Sequence, residues 1–90
     1  MAWKVKLDKN AEKELSKLDK QVSVRILKFL RDRLAKIDDP RLIGEALKGS
    51  KLGEFWKYRV GDYRLLCRLE DNFLIVYVVK IGDRKEVYKF

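Results

Sequence analysis

A chain of 90 residues, 47% apolar and 40% charged, fits one small domain with a single hydrophobic core and does not have the composition of a disordered segment. Its 22 Lys and Arg against 14 Asp and Glu give a net charge of +8, which favours a polyanionic partner. With a single cysteine and no histidine, an internal disulfide, a zinc site and a His-dependent triad are excluded, and no cofactor or metal is expected.

Lys4 and Lys6 stand where a signal peptide would need an apolar run, and the longest apolar stretch, Phe73 to Val79, is strand-sized. A cytoplasmic location and no membrane partner are therefore expected. The charge is not carried on a tail. Residues 1–40 hold 11 basic and 7 acidic groups and residues 41–90 hold the same numbers, so each part contributes +4 and only folding can concentrate it.

Trp3, Val5 and Leu7 alternate with Lys4 and Lys6, the period-2 pattern of a strand with one buried face. Asp8 or Asn10 can cap a helix in which Ala11, Leu15 and Leu18 recur at helical spacing. Asp19 offers a second cap, and Val22, Ile26, Phe29, Leu30, Leu34 and Ile37 form the apolar stripe of a helix ending before Asp38-Asp39-Pro40. Residues 41–53 contain Gly44, Gly49 and Gly53 and read as a loop with one helical turn at Leu42 to Leu47.

From Glu54 the pattern turns to β: Phe55 to Val60, a turn at Gly61-Asp62, Tyr63 to Leu69, a turn at Glu70-Asp71-Asn72, then Phe73 to Ile81. A last short strand is expected from Lys85 to Lys89. The sum is a single α+β domain over residues 1–90, β-α-α-β-β-β-(β), with a two-helix hairpin on one face of an antiparallel-rich sheet.

Alternation puts Lys57 and Arg59 on one face of their strand, opposite in facing to Trp56, Tyr58 and Val60. Arg64 and Arg68 share a face of the next strand, and a tight turn makes Arg59 and Arg64 near cross-strand neighbours. The only acids expected nearby, Glu54 and Asp62, lie at turns, so the cations read as a phosphate-binding surface as well as a solvated sheet face. Gly82 can supply a turn that aims Arg84 back over the sheet, and Tyr88 suits a core aromatic or a ring stacked on a base.

In Leu15-Ser16-Lys17-Leu18-Asp19, Leu47-Lys48-Gly49, Trp56-Lys57-Tyr58-Arg59, Tyr63-Arg64-Leu65, Gly82-Asp83-Arg84 and Glu86-Val87-Tyr88, taken in order, the chain resembles the RelE family of type II toxins. The resemblance implies a ribosome-dependent, metal-independent messenger-RNA endonuclease that meets the message in the ribosomal A site and is silenced by a RelB-like antitoxin. It also implies the catalytic set Lys57, Arg59, Arg64, Arg84 and Tyr88. Two departures are Asp83, where a basic residue is often found, and an end at Phe90 without the C-terminal helix of many relatives.

On this reading Lys57 is the base for 2′-hydroxyl attack, with Arg59 sharing its role, because neighbouring cations disfavour its charged form. Arg64 and Arg84 bind the scissile phosphate, and Tyr88 stacks on a base beside the cut. Two rivals are a ParE-like toxin acting on DNA gyrase, which needs none of these catalytic residues, and a non-catalytic basic RNA-binding module.

Overall fold

The structure is a computed structural model that describes residues 3–47 and 55–83. Arg84, Tyr88, the Lys48-Gly49 turn and the strand expected from Lys85 to Lys89 lie outside the described residues. The elements run β1 (Lys4–Leu7), α1 (Lys9–Ser16), α2 (Lys20–Phe29), β2 (Glu45–Ala46), β3 (Phe55–Val60), β4 (Tyr63–Glu70) and β5 (Ile75–Asp83). Among the described residues these strands form one sheet in the order β1-β5-β4-β3-β2.

Asp8 starts α1 by accepting the Ala11 amide on its carboxylate at 2.8 Å, which satisfies one of the helix's unpaired donors. Ala11 and Leu15 from α1, and Ile26, Leu30 and Leu34 from α2 and the turns after it, bury their side chains against Tyr58, Leu65, Cys67, Val76, Val78 and Ile81 of the sheet. Both helices thus lie on one sheet face, as the apolar stripes require. None of the described helices is long and apolar enough to cross a membrane.

β1 lies beside β5 and pairs with it in parallel, because the chain between them includes both helices and returns to the same edge. The remaining pairings are antiparallel.

Asp19 takes the N-cap position of α2 as expected, without a side-chain capping bond. Three local expectations are corrected. The second helix stops at Phe29 and continues as a single π-turn over Leu30–Leu34, short of Ile37. The expected helical turn at Leu42 to Leu47 is a 3-10 turn at Pro40–Ile43 followed by β2, since Pro40 favours the first position of a helical turn and Asp39 caps it through the Arg41 amide. Phe73 belongs to a 3-10 turn with Asp71 and Asn72, so β5 begins at Ile75.

Candidate nucleic-acid interface

β3 is held in place by what it buries. Tyr58 is 1% exposed, its ring meets Phe29 at a tilted 6.2 Å, and its hydroxyl donates to the Pro40 carbonyl at 2.9 Å. Burial keeps this phenol protonated far above the usual tyrosine range. Because Trp56, Tyr58 and Val60 point toward the helices, Lys57 and Arg59 point to the face that the helices leave open, where the Lys57 side chain is nonetheless only 18% exposed and Leu66 is buried.

The Gly61-Asp62 turn sets the register. Gly61 adopts φ +59°, the left-handed region a tight hairpin needs, and the ladder then runs Val60 with Tyr63 and Arg59 with Arg64. Arg59 and Arg64 are therefore direct cross-strand partners on the open face, as the pattern predicts. Arg64 is only 6% exposed and donates to its neighbouring Tyr63 carbonyl at 3.3 Å, and among the described residues neither arginine has a carboxylate partner. Arg59 for its part donates to the Gly61 carbonyl at 3.4 Å, so two arginines stand in cross-strand register, each bonded among the described residues only to a backbone carbonyl, a pairing of like charges that an anion would relieve.

Lys57 differs from its expected setting. Glu45 on β2 pairs in register with it, and the carboxylate lies 3.0 Å from the ammonium. The expectation that no acid of matching phase lies near is corrected. Gly44, just before Glu45, passes so close to the Tyr58 ring that an added Cβ would come within 2.8 Å of it, and this close approach seats β2 beside β3. An opposite charge at this distance favours the ammonium form, which counters the effect of the arginines.

The open face continues onto β5. Leu66, opposite Lys57, also pairs with Lys80, so two lysines flank one leucine on the same face. Sequence reasoning missed both Glu45 and Lys80. A two-residue strand has too little alternation to detect, and Lys80 is hidden by a β-bulge: Cys67 pairs with Val78 and Leu66 with Lys80, leaving Val79 extra and reversing the alternation. Among the described residues no cluster of His, Cys, Asp or Glu is placed to hold a metal ion. Their one cysteine, Cys67, is wholly buried, and burial pushes its thiol well above its usual range.

The family model for the ParE toxin of the type II toxin-antitoxin system parDE matches residues 5–88. The chain is 27% identical to toxin RelG of Mycobacterium tuberculosis over 89 residues, covering 99% of each. It is 32% identical to the mRNA interferase toxin RelE of Escherichia coli K12 over 90 residues, covering 98% of this chain and 92% of that one. Its structure is similar to a chain of the RelBE2 toxin-antitoxin complex of Mycobacterium tuberculosis, with a TM-score of 0.85 and 25% identity over 93% of this chain and 100% of that chain.

Proposed function

This chain belongs to the ParE and RelE family of toxins of type II toxin-antitoxin systems, and from that premise we propose that it is an endoribonuclease that cuts messenger RNA on the ribosome. The observation that carries the reading is the Arg59–Arg64 cross-strand pair, two cationic residues in register with no carboxylate partner among the described residues. Such a pair destabilises a sheet unless an anion joins it.

In the proposed reaction the 2′-hydroxyl attacks the adjacent phosphorus to give a 2′,3′-cyclic phosphate, and the 5′-oxygen leaves as a hydroxyl, taking its proton from water. Arg64 holds a non-bridging phosphate oxygen where negative charge grows, and its burial strengthens that interaction through the low local dielectric. Arg59 shares the phosphate from the facing strand. Lys57 takes the proton of the 2′-hydroxyl in its neutral form, so Glu45, which favours the ammonium, restrains the enzyme until RNA displaces it. Arg84 as a second phosphate ligand and Tyr88 as a stacking ring complete the site by family pattern. Weak acid and base groups suit an enzyme that relies on the ribosomal A site to bend its substrate.

The partner that silences the toxin is proposed to be a RelB-like antitoxin, in keeping with the complex whose toxin chain this structure resembles. A cytoplasmic site of action goes with a ribosomal target.

A ParE-like action on DNA gyrase is the second reading, favoured by the name of the matching family model. In-vitro translation followed by primer extension separates the two. Breaks at fixed codon positions that vanish on Arg64→Ala or Arg84→Ala support the nuclease, whereas intact message beside gyrase-linked DNA breaks sinks it. Loss of RNA binding in step with cleavage in Arg84→Ala would instead favour a non-catalytic RNA-binding module.

A further inference from the structure

The register carries the basic surface beyond the candidate catalytic group. Across the open face, two residues along from Lys57 and Leu66, the strands align Phe55 of β3, Arg68 of β4, Tyr77 of β5 and Lys6 of β1 in one row. Arg68 lies over the Tyr77 ring, 5.9 Å from its centroid, and is oriented by Glu70 at 2.9 Å. One further step along, Lys4 joins the same face beside Ile75. Lys4 and Lys6 are exposed, and among the described residues neither has a carboxylate partner.

We infer that this row is an extended RNA subsite, in which single-stranded RNA leaving the scissile phosphate crosses the sheet toward β1, stacks a base on Tyr77 and places phosphates on Lys6 and Lys4. The inference rests on the RNA-cleaving reading of the same face. A sheet face that alternates aromatic rings with cations along one row matches the two things a single strand offers, π-faces and phosphates. An acidic polypeptide would use the cations and leave the ring idle. Burial of Val5 and Leu7 in the core turns Lys4 and Lys6 to this side, and pairing with β5 sets them beside Ile75 and Tyr77. With the opposite facing they would lie among the helices, where Val5 and Leu7 pack.

The test is fluorescence anisotropy of a short labelled single-stranded RNA with the full chain, beside cleavage of message on programmed ribosomes. The double variant K4E/K6E is compared with K20E/K28E, which makes the same change in net charge on exposed α2 lysines. K4E/K6E is expected to weaken RNA binding roughly tenfold more than K20E/K28E and to flatten the salt dependence by about 1.4 in log–log slope, the release of two phosphates' counterions.

Tyr77→Leu is expected to lose roughly tenfold in affinity, and Tyr77→Phe to keep it, since stacking needs the ring and not the hydroxyl. Thermal melts identify any variant that fails to fold, and K4E/K6E, at exposed positions of β1, still reads the subsite if Tyr77→Leu does not fold. Equal losses in the two double variants overturn the inference. So does unchanged RNA binding in K4E/K6E with loss of a poly-glutamate probe, which would make the row a protein-docking face. If wild type binds RNA through the row yet leaves message intact on the ribosome, the nuclease reading fails and the subsite stands.

Discussion

Arg59 and Arg64 face each other across β3 and β4 on the side of the sheet away from the helices, and a folded protein keeps them there against their mutual repulsion. Like charges directly opposite in a sheet cost up to about 1 kcal/mol. Arg59→Thr should therefore raise stability by a few tenths of a kcal/mol, read in urea unfolding, while cutting message cleavage by roughly a hundredfold or more through loss of a phosphate ligand. A variant that loses stability and keeps cleavage would show that the pair serves the fold alone.

Glu45 holds Lys57 at 3.0 Å, and a carboxylate favours the ammonium that a general base has to give up. Glu45→Gln should raise cleavage below neutral pH and move the acidic limb of the pH–rate profile to lower pH. Profiles of wild type and variant under single-turnover conditions decide it. An unchanged limb would assign the proton transfer elsewhere.

The Tyr58 hydroxyl is buried and bonded to the Pro40 carbonyl at 2.9 Å. Tyr58→Phe removes that donor and leaves a carbonyl short of a partner, for a loss of about 1–3 kcal/mol in denaturant unfolding. Gly44→Ala should destabilise by a similar amount, because its Cβ would meet the Tyr58 ring at 2.8 Å. It should also loosen β2 and so reproduce part of the Glu45→Gln profile.

Arg41 bonds Asp71 at 2.6 Å, linking the 3-10 turn after Asp39 to the β4–β5 turn, and this bond holds the Asp71 carboxyl below its ordinary value. A carboxylate depressed in the folded state adds stability that is full above its unfolded value and fades as pH falls through the folded one. Asp71 is largely exposed, which keeps the contribution below about 1 kcal/mol. Asp71→Asn should thus match wild type in melting at low pH and fall slightly below it at neutral pH.

Cys67 is buried beneath the helices with its thiol raised well above the usual range. Aromatic disulfide reagents should label it only at the rate of unfolding, measured as absorbance release in increasing urea. Rapid labelling of the native chain would contradict the packing.

The sequence by itself determined the α+β class, the helix hairpin on one face, the β3–β4 hairpin and the meeting of Arg59 with Arg64. These follow from alternation and from a two-residue glycine turn, which are local and fix facing over a few residues. Tertiary structure decided the rest. Glu45 reaches Lys57 only because Gly44 packs on Tyr58 from a segment eleven or more residues before β3, a contact with no periodicity to announce it.

Lys80 and Tyr77, three positions apart, share a face because the bulge at Val79 inserts a residue, and strict alternation would have parted them. Lys4 and Lys6 join that face through a parallel pairing closed across the whole chain. Facing is a local property of a strand, whereas which strands lie side by side is set by burial of the common core, and the width of the basic surface depends on the second.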